Sequence, residues 1–427
     1  MSTAALPVPA PLANSGVSAT AQPVSDRERI VSIDVLRGFA LLGILVMNIQ
    51  AFSMVTAAYS NPTVYGDLHG LNFAVWLGCY LFADLKFMSI FSMLFGAGIF
   101  LMTSHVEASG RSSAALHYRR MGWLILFGLL HGFLLWYGDI LYDYGMCGLL
   151  IYLFRKRQPR TLLILGCLTL TISPLLMTGY GTQLKQMPPD QLQTEREQIW
   201  QPTPAQVAEE NASYRGGWLA QMKYRAPETA RMKTLYFVAY SFWREAGLML
   251  IGIALFKLGF FSAKKASWMY ATMTVCGMLI GLPIIYYGFL REAAAHWTFP
   301  SAFIADQQYN YFGSLFVALA WVGVIMLACK SLLLRPATSR LAAVGRMAFS
   351  NYIFHTLVCT SLFYGHGFGL FGKVERWQQF AIVLVIWSFQ LIVSPIWLRH
   401  FYFGPLEWLW RSLTYGQLEP FRRPATA

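Results

Sequence analysis

Ile30-Val-Ser-Ile-Asp34-Val-Leu-Arg37-Gly38 opens an apolar run that continues to Met54. The run is long enough to cross a bilayer, for which about 20 apolar residues suffice. It begins with an acid and a base three residues apart. Charge at the mouth of a membrane helix is expensive, so the pair is either a lock that neutralises itself or part of a site. An i, i+3 pair in a first turn is self-neutralising, and Asp34 favours the positive end of the helix dipole. The functional alternative is a cytoplasmic anion clamp in which Arg37 grips phosphate.

Working outward, the rest of the chain has the same character. Of 427 residues, 56% are hydrophobic and only 12% charged, against roughly 25% charged in soluble domains. Further apolar runs are expected to span at about 80–104, 118–137, 139–154, 160–179, 235–257, 267–288, 309–329, 347–365 and 380–399. With the first at 35–55 they predict an all-α polytopic membrane protein of about ten transmembrane helices. Residues 1–29 hold no apolar h-region and read as a disordered cytoplasmic tail, so the first span is a retained anchor. Spans one to five then occupy 30–179, an extracytoplasmic loop 180–234, spans six to ten 235–400, and a cytoplasmic interfacial helix and tail 401–427. Residues 71–80 read as an interfacial lead-in to the second span.

The net charge of +13 reports topology rather than a nucleic-acid partner. Twenty Lys and Arg fall in the tail and alternate loops on one side of this layout, and ten on the other. Seven of those ten lie in the one long loop, where charge has little weight in orientation. Both termini are therefore expected in the cytoplasm. The loop's seven bases meet six acids, and Pro188-Pro189 and Pro202-Thr-Pro204 interrupt it. Ala205–Tyr214 and Gly217–Tyr224 read as helical, with Trp200 and Trp218 available to lie on the membrane surface. A lid over an outward cavity and a structural plug are both open. The six cysteines lie in apolar runs with no C-x-x-C pair and read as small buried hydrophobes.

Polar residues inside the spans are the strongest pointers to chemistry, because hydrocarbon offers them no solvent. The densest patch is Gly128-Leu-Leu-His131-Gly132, followed by Trp136-Tyr-Gly138-Asp139 and Asp143-Tyr144-Gly145. His131 is the candidate general base, oriented by a carboxylate such as Asp139 or Asp143; Asp139 also caps the fourth span. The alternative is a neutral histidine bonded across helices. At comparable depth, Asn48, Lys86, His131, Asp139, Arg244 and Glu245 could converge on one polar cavity opening outward. Near the other face, Ser350, Asn351 and His355 can bond across helices, and Glu407 and Arg411 stand i, i+4 on a short interfacial helix. No spacing for a metal site is present, and no Walker loop, H-E-x-x-H or G-x-S-x-G occurs.

The sequence resembles the bacterial YeiB-type inner-membrane proteins, a family defined by domains of unknown function. The resemblance rests on Ile33-Asp34-x-x-Arg37-Gly38, Met47-Asn48-Ile49, Ala58-Tyr59-x-Asn61-Pro62, Lys86-Phe87, Leu94-Phe-Gly-Ala-Gly98, Gly128-x-x-His131-Gly132, Trp136-x-Gly138-Asp139, Gly345-Arg346-Met-Ala-x-x-Asn351-Tyr352 and Gly404-Pro-Leu-Glu-Trp-Leu-Trp-Arg411. The Asp-x-x-Arg-Gly opening is also similar, over the first span mainly, to heparan-glucosaminide acetyltransferase-like membrane acyltransferases. That second resemblance implies passage of an acyl group from cytoplasmic acyl-CoA to an acceptor outside.

The expectation is then a membrane-bound acyltransferase with His131 and Asp139 catalytic, and with Arg37 and Asp34 at the acyl-CoA site. Asn48, Lys86, Arg244 and Glu245 would bind the substrate. Expected partners are the bilayer and an envelope glycan or lipid acceptor; the sequence leaves room for a homo-oligomer, and no nucleic acid or metal is expected. The alternatives are a secondary transporter of a small solute, suggested by the five-plus-five inverted layout, and an assembly scaffold.

Overall fold

The computed structural model describes residues 29–424; the expected tail over 1–28 lies outside the described residues. Every element among them is helical, and the helices are best introduced in the order in which they pack.

The organising element is α1 (Val31–Ser53). It is buried almost all round, including Leu36, Ala40, Leu41 and Leu45 at 0% exposure. A helix apolar on every face belongs in the middle of a bundle, since it has no polar stripe to give to solvent. Around it stand α2 (Gly70–Phe82) and α3 (Lys86–Ala108), separated by a break at Leu85, whose φ is +63°. Then come α4 (Ala114–Leu134), α5 (Leu141–Ile151, with a tight turn to Phe154) and α6 (Pro159–Leu184).

The three helices α7 (Pro189–Ile199), α8 (Pro204–Arg215) and α9 (Trp218–Arg231) cover one end of the bundle. A π-helical stretch, Met232–Ser241, carries α9 into α10 (Phe242–Lys257). The remaining elements are α11 (Ser267–Ala294), α12 (Gln307–Lys330), α13 (Arg335–Arg346), α14 (Ala348–Phe363), α15 (Arg376–His400) and α16 (Pro405–Tyr415).

Among the described residues, seven helices or continuous helical runs are long and apolar enough to cross a membrane: 31–53, 70–108, 159–184, 218–257, 267–294, 302–330 and 376–400. All ten segments expected to span fall on helices. In α6, α11 and α15 only 28% of the most apolar window is buried, against 72% in α1. These three form the lipid-facing rim, which accounts for exposed Leu168, Leu175, Leu279 and Val385. It also corrects the cysteine expectation: Cys79, Cys147 and Cys359 are buried, but Cys167 and Cys276 are exposed on α6 and α11.

Close approach of backbones sets the geometry at the basic end, where α1 begins. A Cβ added at Gly38 would stand 2.0 Å from the Leu341 carbonyl oxygen, and one at Gly345 would stand 1.9 Å from that of Asp34. Two glycines thus let α1 and α13 touch along their main chains, as small residues do between membrane helices. Gly345→Ala is expected to lower stability by about 3 kcal/mol, since the obstacle is backbone and cannot rotate away. A fall in the melting temperature of detergent-solubilised protein checks this; an unchanged value would show the contact to be slack.

At the opposite end the long loop is built into the fold. Thr203 and Gln206 form a reciprocal cap on α8. Arg225 on α9 donates to the carbonyls of Phe133, Leu134 and Leu135 at 3.2, 2.8 and 3.0 Å, satisfying the end of α4. Trp218 is partly exposed as expected, but Trp200 is fully buried and donates its Nε1–H to the Trp297 carbonyl at 2.7 Å. Trp200 is therefore a packing residue under the loop and not a surface anchor.

Candidate functional site

The turn between α4 and α5 sets up the first cluster. Gly128 allows the two helices to meet, since a Cβ there would lie 2.1 Å from the Tyr142 nitrogen. Asp139 Oδ2 accepts from the Tyr142 N–H at 2.9 Å, capping α5 as expected. Its other oxygen, Oδ1, lies 2.8 Å from His131 Nδ1. A carboxylate only accepts, so Nδ1 carries a proton, and in the Nδ1–H tautomer Nε2 is an acceptor. Nε2 lies 2.9 Å from Thr356 Oγ1, whose hydroxyl then donates to it. His131, Asp139 and Thr356 are 3%, 3% and 1% exposed. This is the relay in which a base is oriented by a carboxylate and faces a hydroxyl.

Lys233, contributed by the π-helical stretch, completes the cluster. Its Nζ lies 3.5 Å from Asp139 Oδ2 and 2.9 Å from Asp143 Oδ1, and donates to the Asp139 carbonyl as well. Nothing in the sequence singled it out, because it sits at the end of the long loop among solvated-looking bases. Thr356 left a fainter trace: Tyr352 and Thr356 stand i, i+4 on α14, hence on one face. Both turn toward His131, with the Tyr352 ring 5.3 Å from the imidazole centroid at an interplanar angle of 61°.

Lys86, Arg244 and Asn48 lie outside this cluster. Lys86 Nζ donates to the Tyr80 carbonyl at 2.6 Å and to Asn310 Oδ1 at 2.7 Å, while Asn310 Nδ2 donates to Asp84 Oδ2 at 2.6 Å. Arg244 donates to the Tyr311 carbonyl, Ser89 Oγ and Ser314 Oγ at 3.0, 3.0 and 2.8 Å. Asn48 is half-buried on α1 and shares no hydrogen bond with any of them. Glu245 is buried beside Cys147, 3.9 Å from its sulfur, and alone of these lies within electrostatic reach of Asp143, Lys233 and Asp139. Equal depth thus did not mean convergence: neighbours in sequence such as Arg244 and Glu245 point about 100° apart around a helix. One polar cavity uniting all six is not what the fold builds.

The large cavity lies at the basic end instead, with a volume of about 280 Å³. Its rim carries Arg29 and Arg37 at the start of α1, Arg120 on α4, Arg346 on α13 and Arg411 on α16. Asp34 is bound to Arg37 at 2.7 Å and stands 3.8 Å from Arg29. The expected Glu407–Arg411 pairing is not made. Glu407 turns to the start of α14, accepting from the Phe349 and Ser350 N–H groups at 2.6 and 3.1 Å and from Ser350 Oγ at 2.5 Å. An acid at a helix N-terminus is satisfied by orphan donors and by the dipole; burial nonetheless raises the carboxyl above its ordinary value. Arg411 lies over the Phe403 ring at 4.4 Å, and burial, with the charge of nearby Arg29, lowers its pKa.

Inward from this rim the walls become apolar, formed by Leu41, Leu94, Phe95, Ile99, Met121 and Leu124. The inner end is closed by Ile140, Leu141, Tyr144 and Tyr352. Tyr352 is therefore shared: one part of its ring closes the cavity and another meets His131. The two candidate regions are separated in sequence by about a hundred residues, yet Asp34–Arg37 lines one end of this cavity and His131 stands behind Tyr352 at its closed end. Among the described residues no group of three or more His, Cys, Asp or Glu is arranged to hold a metal ion.

Comparison with known proteins is consistent along the whole chain. Residues 255–417 match the family described as "Protein of unknown function (DUF418)". Over 399 residues the chain is 32% identical to "Uncharacterized protein YeiB" of Escherichia coli (strain K12), covering 92% of this chain and 98% of that one. It is 30% identical over 415 residues to "Uncharacterized protein YxaH" of Bacillus subtilis (strain 168), covering 94% and 98% respectively. A third relative, an "Uncharacterized 39.9 kDa protein in amylase 3'region" of Bacillus acidopullulyticus, is 30% identical over 407 residues, covering 93% and 97%. With nearly end-to-end coverage on both sides of each comparison, the chain belongs to the YeiB-type DUF418 family.

Proposed function

We propose that this protein is an inner-membrane acyltransferase that takes an acyl group from a cytoplasmic acyl-CoA and delivers it to an extracytoplasmic glycan or lipid hydroxyl. In this proposal the chain crosses the membrane ten times with both termini in the cytoplasm. The observation that carries it is the cavity, which runs from a rim of five arginines to the tyrosine that touches His131. Arginine forks suit phosphate oxygens, and an apolar bore suits a thioester arm and its acyl end. Arg37 and the other rim arginines grip the phosphates, with Asp34 holding Arg37 in place.

The chemistry follows from the relay. The Tyr352 side chain turns aside to admit the thioester, and His131 Nε2 attacks the carbonyl carbon. The C–S bond breaks, and the thiolate leaves with its electron pair and takes a proton from water at the cytoplasmic mouth. Asp139 holds Nδ1–H throughout, stabilising the acylated imidazolium. An acceptor oxygen then attacks the acyl carbon, the C–N bond returns its electrons to Nε2, and the acceptor's proton passes to water. The sum is thioester plus alcohol giving ester plus thiol.

The test is direct. Purified protein incubated with acetyl-CoA labelled in the acetyl group is expected to retain label on His131, and to lose it to a hydroxyl acceptor. Arg37→Ala is expected to weaken acyl-CoA binding about tenfold, as loss of one charge-assisted phosphate contact does. Equal binding by wild type and variant, or no binding by either, would sink the assignment of this rim.

A transporter remains the second proposal, favoured by the separate network of buried Lys86 and Asn310 with half-buried Asp84, Arg244 being close by. Solute-coupled flux in proteoliposomes that is lost in Glu245→Gln would support it over transfer.

A further inference from the structure

Glycines inside the helices of this protein mostly have an evident packing reason. On α3, a Cβ at Gly96 would lie 2.2 Å from the Met249 carbonyl oxygen, and on α10 a Cβ at Gly252 would lie 1.9 Å from that of Met93. Those two residues let α3 and α10 touch. Gly98, two positions further along α3, has no such reason. It points about 200° away from Gly96 around the helix, and a Cβ there would meet no atom within 4 Å. Its φ is helical, so alanine would be better tolerated by the backbone and glycine is the destabilising choice. Yet Gly98 lines the cavity, with Leu94, Leu101 and Met102 on the same face of α3.

Its level in the passage is also defined. The far end of α3 packs with Tyr415 at the basic end through Met102 and Val106, while Phe91 packs against Tyr144 at the inner end, ring centroids 5.9 Å apart. Gly98 is seven residues, roughly 10 Å, on the rim side of Phe91. It stands where a ligand held by its phosphates at the arginines must pass to bring its other end to Tyr352.

We infer that Gly98 gauges this passage, keeping open the stretch of wall past which the flexible arm of a phosphate-headed thioester threads toward His131. It rests on the transferase proposal above and names the residue that decides whether the reactive end arrives. Leucine or phenylalanine at 98 fills the bore without touching the rim, so headgroup binding and acyl arrival separate. The open space around a Cβ at 98 means that the first atom of either side chain has no backbone to displace.

The full-length protein in detergent tests this with three variants. Gly98→Ala and Gly98→Leu are compared with Gly122→Leu, an exposed α4 position whose Cβ also meets open space and which does not line the cavity. Two measurements are made: binding of adenosine 3′,5′-bisphosphate as the phosphate-bearing head, and acylation of the protein by labelled acetyl-CoA. Gly98→Ala is expected to melt no lower than wild type. Gly98→Leu is expected to keep headgroup affinity while acylation falls by about tenfold or more, and Gly122→Leu to change neither. Wild-type acylation by Gly98→Leu overturns the gauge and leaves the transferase standing. Joint loss of headgroup binding and acylation in Gly98→Leu also overturns it, since the residue would then act on the rim. Absence of acylation in the wild type overturns the transferase and the gauge together.

Discussion

His131→Ala is expected to abolish acyl transfer, by about a thousandfold or more, while leaving acyl-CoA binding intact. The reason lies in the separation of the two ends of the cavity. His131 does not line it, and the arginines proposed to hold the phosphates line its other end. Removing the imidazole deletes the proposed nucleophile but none of those arginines. Folding should survive: Asp139 keeps the Tyr142 N–H and Lys233, and Thr356 loses one partner, so the stability loss is about 1–3 kcal/mol. Labelling by acetyl-CoA and binding of unlabelled acetyl-CoA, measured on the same preparation, check both halves. Retained labelling would remove His131 from the chemistry. Loss of binding along with labelling would mean that the histidine is structural.

Lys233→Met is expected to have the largest effect on the fold itself. The ammonium stands between Asp139 and Asp143 inside the bundle, within 3.5 and 2.9 Å of their oxygens, and Lys233 is 5% exposed. Its removal leaves two carboxylates facing each other in a low-dielectric interior, at a penalty of about 3–5 kcal/mol. Methionine replaces most of the volume, so lost packing contributes little. The double variant Lys233→Met with Asp143→Asn should recover much of the loss, because one of the stranded charges is then gone. Thermal melting of the single and double variants measures this; a single variant as stable as wild type would mean that the cluster does not depend on the lysine's charge.

How much of this was legible beforehand differs from residue to residue. The helix positions were readable because hydrophobic run length is a local property: each of the ten apolar runs lies on a helix. The His131–Asp139 contact was also within reach, since eight residues across a Gly-Asp turn leave few ways for the side chains to lie. Asp34–Arg37 pairing followed from i, i+3 spacing alone. Glu407–Arg411 had equally good spacing and did not pair, because α14 offered Glu407 two unsatisfied N–H groups that a neighbouring arginine could not outbid. Trp200 was expected at a membrane surface from its type and its loop, and is buried with Trp297 and Phe303, which follow α11, as partners.

The amino-acid sequence by itself determined that this is a helical membrane chain, where its helices lie, and which polar residues are confined within them. Tertiary structure alone decided that Lys233 and Thr356 complete the His131 cluster, that Lys86 and Arg244 belong elsewhere, and that the cavity opens beside Asp34 and Arg37. The physical reason is that burial and helix formation depend on residues close along the chain. Rotation of each helix about its axis instead depends on which backbone contacts its glycines permit with helices hundreds of residues away. The pair at the head of α1, self-neutralised in its own first turn, thus acquires a place at the mouth of a cavity only when α13 and α16 close around it.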